Sequence, residues 1–347
     1  MISSGIYIYG IVFHSDDDYT CLLDSGVYSL NYKNISAIVS NKVNIKLDSL
    51  DRESLAYLLI EHQKINEIII ANGKRIIIPM QLGTILDSEE DVIKILQNGY
   101  ALIVDIFNKI EDVEEDDVIV KWNDFSIILK EVSEDSEVAR LKELYINNEA
   151  REQKDLIAIG ALIKEKIDIK NKEISDKIIN TLLPSCIDVK QHETMGDEML
   201  INAAFLIDKG NSELFSQIID GLDAEFSDKL GFRIVGPLPC YSFYTLEVKT
   251  ITSSDVDSAV NLLGLRSESD ISENTIKKAY RDKASIIHPD KFQDGSSDTL
   301  QSFNDLNEAY HTMLEYALAI QQGSDDDLAL AGDGNLNKSI FFLKIKN

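Results

Sequence analysis

The chain has 347 residues, and 60 Asp and Glu against 34 Lys and Arg give it a formal net charge of −26. At roughly 100–200 residues per domain, this length predicts two or three domains. So acidic a chain repels phosphate backbones and anionic lipid, which argues against nucleic acid and lipid membranes as partners. The three cysteines form no CxxC pair, which excludes a cysteine zinc site and a disulfide framework.

The same features predict a soluble, cytoplasmic protein without catalytic groups of its own. The chain lacks the run of about 18 apolar residues that a membrane helix needs, and its first residues lack the pattern of a signal peptide. The five histidines show no metal-ligand spacing. Phosphate-binding loops and nucleophile motifs are also missing. We therefore expect no metal, no cofactor and no enzyme activity.

Residues 1–117 are predicted to form an N-terminal α+β domain. The β-branched and aromatic run at residues 6–13 is typical of a strand buried on both faces. Apolar residues spaced by three and four predict helices over 51–71 and 88–107. The acidic run at residues 111–117 is interpreted as a solvated connection.

Residues 118–250 are predicted to form a ferredoxin-like α+β domain that contains a long helical segment. The expected elements are a strand at 118–122, helix over 136–182, strands at 187–190 and 199–208, a helix at 212–226, and strands at 232–235 and 243–249. This order is β-α-β-β-α-β with one extra strand. The polar stretch at 250–255 is interpreted as a linker.

Residues 251–320 are predicted to form an all-α unit built on a helical hairpin. Ser272 can cap its first long helix, and Pro289 stops that helix after His288. An apolar stripe on the returning helix lets the two helices pack together. Lys277 and Arg281, four residues apart, form a local basic patch.

This unit resembles a J-domain of the DnaJ class. The resemblance rests on the L-x-G-L segment at 262–265, the His-Pro-Asp tripeptide at 288–290 and the F-x-x-L-N-E-A-Y helix at 303–310. It implies that the chain binds a DnaK-class chaperone through a basic helix face and stimulates the chaperone's ATP hydrolysis. The residues implied in that contact are Lys277, Tyr280, Arg281, His288, Pro289, Asp290 and Lys291.

Three residues depart from the family pattern, among them Phe292, which replaces the Asn common after the loop. Asp282 stands where many members carry a basic residue, and Lys283 stands where an apolar residue usually packs inward. One alternative is therefore a three-helix module that no longer stimulates a chaperone. Since the chain has neither a Gly/Phe-rich segment nor a cysteine-rich zinc module, we expect client choice to reside in the first 250 residues.

Residues 5–249 resemble gas-vesicle synthesis proteins of the GvpF/GvpL family. The resemblance rests on segments 7–12, 78–85, 118–122, 199–208 and the G-P-x-P-x-Y-S-F ending at 236–243, where Cys240 replaces a usual second proline. It implies a role in building gas vesicles, with the hydrophobic shell protein and other gas-vesicle proteins as partners. Candidate docking residues for the shell protein are Gly236, Pro237, Pro239, Tyr241 and Phe243.

Taken together, these resemblances favour a gas-vesicle assembly factor that binds the shell protein, or its nucleus, and recruits a DnaK-class chaperone. The alternatives are a minor structural component of the vesicle wall and a J-domain co-chaperone for an unrelated client. For the docking residues, the alternative is that the glycine and prolines only end one strand and begin another.

Residues 321–347 are predicted to form a tail of two parts. The Gly- and Asp-rich stretch at 321–337 has the composition of a disordered segment. The apolar run at 339–346 is expected to dock as a strand, on a sheet edge of this chain or of a partner. The residues that would dock are Ile340, Phe342 and Ile345, and the alternative is a frayed terminus.

Overall fold

The computed structural model describes residues 4–13, 26–43, 47–71, 76–147, 153–265, 271–287, 297–322 and 339–346. They form a mixed α+β fold, as predicted, in two compact units. One unit combines the segments Met1–Asn108 and Tyr244–Asn347, and the other comprises Lys109–Phe243. The division into four domains stays a prediction about which parts fold on their own.

The N-terminal segment folds around its first strand. Its elements are β1 (Ser4–Phe13), β2 (Val27–Tyr32), β3 (Ile35–Val43), α1 (Arg52–Ala71), β4 (Ile77–Pro79), β5 (Ile85–Leu86), α2 (Glu89–Asn98) and α3 (Tyr100–Ile110). The antiparallel sheet has the order β2-β3-β1-β4, and β5 also pairs with β1. As predicted, β1 is buried on both faces, which suits its β-branched and aromatic residues.

The single helix predicted over residues 88–107 is wrong, because Gly99 divides it into α2 and α3. Ser88 caps α2 by accepting a hydrogen bond from the N–H of Asp91 at 3.2 Å. At the other end, the N–H of Gly99 donates to the carbonyl of Ile95 at 2.8 Å, and α3 begins at the next residue.

The second unit has a ferredoxin-like core, as predicted. Its elements are β6 (Val113–Trp122), α4 (Phe125–Ser133), α5 (Ser136–Asn147), α6 (Gln153–Leu182), β7 (Asp188–Gln191), β8 (Met199–Asp208), α7 (Ser212–Phe226), β9 (Leu230–Leu238) and the short α8 (Tyr241–Tyr244). The antiparallel sheet has the order β7-β8-β6-β9. Helices α4, α6 and α7 contribute Ile128, Ile178 and Phe215 to one core with the sheet.

Two expectations for this unit are wrong. The acidic run at 111–117 is not a solvated connection, because β6 begins at Val113 and lies between β8 and β9. Glu115 and Asp116 are consequently only 1% and 6% exposed. The extra strand predicted at 243–249 is also absent from this sheet, since the corresponding strand pairs within the other unit.

The C-terminal segment belongs to that other unit. Its elements are β10 (Leu246–Thr252), α9 (Ser253–Leu263), α10 (Glu273–Ile287), α11 (Ser297–Gln321) and β11 (Ser339–Ile345). The three helices share a core that includes Leu263, Ile276, Leu306 and Met313. This is the predicted helical arrangement of a J-domain.

The segment 250–255, interpreted from sequence as a linker, is instead regular structure. Thr252 ends β10 and caps α9, because its hydroxyl accepts a hydrogen bond from the N–H of Asp255 at 3.2 Å. The Asp255 carboxylate accepts from the N–H of Thr252 at 3.0 Å, which completes a capping box. The stretch predicted to be disordered lies, apart from 321–322, outside the described residues, and β11 pairs with β10.

Candidate functional site

The predicted chaperone-binding face lies on α10. Ile276 is completely buried in the helical core, while Arg281 is exposed. Lys277 is part-exposed and forms an ion pair with Glu273, one turn earlier on the helix. Asp282 is exposed beside Arg281. The face is therefore a small cationic patch with acidic neighbours.

Tyr280 holds α10 against α11. Its ring stacks on Tyr310 with 4.4 Å between the ring centroids, and its hydroxyl donates to Oδ1 of Asn307 at 2.6 Å. The side chain is half-buried. Tyr280 thus has a packing function that the sequence did not indicate, whatever part it takes in chaperone binding.

Lys283, the second departure from the J-domain pattern, ties α10 to α9. Its ammonium group donates to the carbonyl oxygen of Leu262 at 2.6 Å. Leu262 lies in the last turn of α9, where carbonyls have no helical partner and a cation is favourable. The lysine therefore stabilises the helix pair by a polar contact.

His288, Pro289, Asp290 and Lys291 lie outside the described residues. Because α10 ends at Ile287, the helix that carries Lys277 and Arg281 leads directly to the tripeptide. The role of the tripeptide stays a prediction from the resemblance.

The candidate docking segment at 236–243 is only partly accessible. By exposure it divides into exposed Gly236 and Pro237, half-buried Pro239 and Tyr241, and buried Phe243. A Cβ atom on Gly236 would lie 1.8 Å from Oδ1 of Asp116, so any other residue there would require this carboxylate to move. The interior position of Phe243 favours the structural interpretation for that residue.

A buried carboxylate that sequence analysis missed anchors this segment. Glu115 accepts two hydrogen bonds from Ser242, one from the backbone N–H at 2.8 Å and one from the hydroxyl at 2.8 Å. The same hydroxyl lies 3.2 Å from Nε2 of His192. When Glu115 is ionised, the hydroxyl proton points to its carboxylate. The arrangement fixes α8 to β6.

We call Glu115, Asp116 and Asp117 the carboxylate corner. Burial raises the pKa of Glu115 to about 7, although the hydrogen bonds from Ser242 act in the opposite direction. Burial likewise raises the pKa of Asp116 to about 6 and raises that of Asp117. Glu115 and Asp116 therefore change charge near neutral pH.

A further surface that sequence analysis missed is the outward side of α1. The buried residues of this helix are His62, Ile65, Asn66 and Ile69. On its other sides, Tyr57 is 71% exposed and Ile60 is 64% exposed. These two side chains are one turn apart and so are neighbours on the helix surface. Large exposed apolar groups of this kind mark sites of protein contact.

Beside α1 lies a cavity of about 580 Å³ whose lining includes Tyr7, Lys42, Tyr57 and Glu61. The Tyr7 hydroxyl is 2.8 Å from Nδ1 of His62, and the Lys42 ammonium donates to Oε2 of Glu61 at 2.6 Å. Burial, with Lys42 nearby, lowers the pKa of His62 to about 4, so its imidazole is neutral at pH 7. Such a lining, in which Lys42 and Glu61 pair with each other, suits an apolar or amphipathic segment.

The described residues contain neither a metal site nor a membrane-spanning helix. Within these ranges, no group of three His, Cys, Asp or Glu side chains could hold a metal ion. In the same part of the chain, no helix combines the length and apolar character needed to cross a membrane. The candidate sites in these ranges are the α10 face, the segment at 236–243 with its carboxylate corner, and the α1 surface.

Two family models match the sequence. The model described as gas vesicle synthesis protein GvpL/GvpF matches residues 5–245, which is more than half of the chain. The DnaJ domain model matches residues 261–316, from the end of α9 through most of α11.

The similar proteins are named gas vesicle protein F. Gas vesicle protein F of Nostoc sp. (strain PCC 7120) is 27% identical over 246 residues, which cover 70% of this chain and 98% of the relative. Gas vesicle protein F of Dolichospermum flosaquae is 23% identical over 190 residues, which cover 54% of this chain and 77% of the relative.

Solved structures show the same fold over 69% of this chain. The crystal structure of GvpF from Anabaena sp. PCC7120 superposes with a TM-score of 0.56 at 26% identity, covering 69% of this chain and 98% of that one. GvpF from Microcystis aeruginosa gives a TM-score of 0.54 at 23% identity with the same coverage. The chain therefore belongs to the GvpL/GvpF family of gas vesicle synthesis proteins and carries a DnaJ domain after the family region.

Proposed function

We propose that this chain is a cytoplasmic gas-vesicle assembly factor that binds the hydrophobic shell protein, or its nucleus, and recruits a DnaK-class chaperone through its J-domain. The observation that carries the proposal is that one compact unit holds both the N-terminal part of the GvpL/GvpF region and the J-domain helices. Shell subunits expose apolar surface before assembly, and such surface associates indiscriminately. A chaperone recruited by the same chain would shield this apolar surface until the subunit joins the wall.

The α1 surface is the best-supported place for the shell protein to dock. Tyr57 and Ile60 supply exposed apolar area, and the neighbouring cavity gives room for apolar side chains. The exposed part of the segment at 236–243 is smaller, because only Gly236 and Pro237 reach the surface fully. We keep that segment as the second candidate.

Capture of purified shell protein by the full chain tests this proposal. We expect Tyr57→Glu and Ile60→Glu each to reduce capture strongly, because a carboxylate replaces apolar area at the contact. Gln63→Glu, which adds the same charge at an exposed position of α1, is the matched control and should capture normally. Failure of the unmodified chain to capture any shell protein would refute the assembly function.

The chaperone half of the proposal predicts a charge-dependent contact. Reversing Lys277 and Arg281 to Glu together should weaken chaperone binding about tenfold, or ~1.4 kcal/mol, because both cations are near the surface of α10. Binding of the unmodified chain should weaken from low to high salt, and the double variant should lose most of that dependence. Titration of the chaperone at two salt concentrations measures both effects.

Lys278→Glu with Lys172→Glu is the control for net charge, because both lysines are exposed, the first on another side of α10 and the second on α6. An equal loss of binding in this control variant would show that total charge, and not the proposed face, controls the association.

The alternative role as a minor component of the vesicle wall makes a different prediction for purified vesicles. A wall component stays with vesicles through repeated mild washing in constant amount, whereas an assembly factor is washed away. Quantifying the chain in each wash fraction separates the two roles.

A further inference from the structure

The C-terminal strand β11 is held along both of its edges. One edge pairs with β10 in an antiparallel register that runs from Ser339 opposite Thr252 to Ile345 opposite Leu246. On the other edge, the side-chain amide of Gln322, next to the end of α11, binds the backbone of Leu343. It donates to the Leu343 carbonyl at 2.6 Å and accepts from the Leu343 N–H at 3.1 Å. The Gln322 amide thus makes the two hydrogen bonds with Leu343 that a further strand would make at this edge.

The two faces of β11 contact different parts of the compact unit. Phe342 is completely buried and belongs to the core of the J-domain helices, together with Leu263 and Met313. Leu343, the next residue, points to the opposite face, as the alternation of a strand requires. It is also completely buried, and its Cδ1 atom lies 2.5 Å from where a Cβ of Gly99 would be, at the end of α2.

An ion pair and a link to the N-terminal sheet extend these contacts. The Lys344 ammonium lies 2.7 Å from Oε1 of Glu315 on α11 and 3.3 Å from Oε1 of Glu247 on β10. At the start of β10, Leu246 forms a parallel bridge with Met80, just after β4, and its carbonyl accepts from the N–H of Gln81 at 2.7 Å. The β10–β11 pair therefore lies between the N-terminal sheet and the J-domain helices.

We infer that β11 is a coupling strand, which fixes the J-domain to the N-terminal part of the chain so that a recruited chaperone meets a client held by the same molecule in one orientation. The surface that receives it consists of the edge of β10, the end of α2 and the side chain of Gln322, and its occupant is this chain's own segment Ser339–Ile345. The statement about the client rests on the proposed function. The statement that β11 fixes the J-domain to the N-terminal part of the chain does not.

Two variants of the full chain release the strand in different ways. Ending the chain after residue 338 removes β11 entirely. Leu343→Glu places a carboxylate against Gly99 and so breaks the contact with α2, because a buried unpaired charge is strongly unfavourable. The second variant leaves Phe342 in the helical core, so it remains informative if the truncation unfolds the J-domain. Lys346→Ala, at an exposed position after the strand, is the control.

Coupling is measured as the distance between spin labels on α1 and α11. The labels are placed at Glu67→Cys and Gln301→Cys, both exposed positions, in a chain whose Cys21, Cys186 and Cys240 are replaced by Ala. The unmodified strand and the Lys346→Ala control should give one narrow distance distribution, and both release variants a broad one. A distribution that stays narrow in both release variants overturns the inference.

A second measurement tests the consequence for the client. We expect Leu343→Glu to stimulate the chaperone's ATPase within about twofold of the full chain, since the helices of the J-domain are unaltered. It should nevertheless lose the ability to keep shell protein soluble together with the chaperone. If a variant with a broad distance distribution still keeps shell protein soluble together with the chaperone, the inference that a fixed orientation is needed is overturned. A full chain that does not bind shell protein would refute the proposed function, while the distance measurement would still decide the coupling.

Discussion

The variant His288→Gln is expected to reduce stimulation of a DnaK-class ATPase to the background rate while the protein stays folded. The resemblance to J-domains assigns the trigger of ATP hydrolysis to the tripeptide that begins at this residue. The core of the helical unit, which includes Ile276, Leu306 and Met313, is not altered by the change. Turnover of ATP by the chaperone at saturating co-chaperone concentration gives the result directly.

His311→Gln is the matched control, because it makes the same chemical change at an exposed position of α11 in the same domain. It should stimulate as well as the unmodified chain, and both variants should keep the same helical circular dichroism and unfolding temperature. Full stimulation by a folded His288→Gln variant would instead support the alternative of a helical module that has lost its activity on the chaperone.

Much of the fold could be predicted from residue periodicity. The bounds of β8, Met199–Asp208, and α7, Ser212–Phe226, coincide with the segments predicted from sequence. In both cases the apolar residues recur at the spacing of the element and polar residues flank it, so local information suffices. The J-domain helices were predicted for the same reason, because their apolar stripes and the stop at Pro289 are local features.

The wrong predictions concern residues whose burial or strand pairing depends on contacts with distant parts of the chain. Composition assigned the acidic residues before Val118 to solvent, but pairing with β8 and β9 on either side buries Glu115. Its partner Ser242 is 127 residues away in the sequence. The pairing of β10 with β11 is similarly invisible, because a strand's sequence does not state which edge it joins. Candidate site residues were therefore predicted where a motif is local and missed where the site depends on tertiary contacts.

The carboxylate corner makes the stability of the second unit depend on pH in an unusual direction. In the unfolded chain Glu115 ionises near its ordinary pKa of 4.5, whereas in the folded protein it stays neutral up to a pKa of about 7. Between these values the folded state binds more protons, so its stability falls as the pH rises. At about 1.4 kcal/mol per pKa unit, Glu115 alone should remove roughly 2 kcal/mol between pH 5.5 and pH 8. Asp116, whose pKa is raised to about 6, adds a smaller loss of stability at lower pH values.

Glu115→Gln should remove this contribution. The neutral amide imitates the protonated acid, since it can accept from Ser242 N–H and donate to the hydroxyl oxygen, which leaves the hydroxyl proton for His192. We expect the variant to lie within about 1 kcal/mol of the unmodified chain at pH 5.5 and to be more stable by about 2 kcal/mol at pH 8. Trp122, the chain's single tryptophan, lies in β6, so its fluorescence during urea unfolding reports on this unit.

Glu111→Gln is the control, because Glu111 is an exposed carboxylate just before the same strand and its replacement changes the net charge equally. This variant should follow the pH dependence of the unmodified chain, which carries a net charge of −26 and is destabilised by general repulsion at high pH in either form. If Glu115→Gln instead destabilises the unit by the same amount at pH 5.5 and pH 8, Glu115 is ionised in the folded protein throughout. In that case its two hydrogen bonds from Ser242 outweigh its burial, and the anchor of the segment at 236–243 is a charged one.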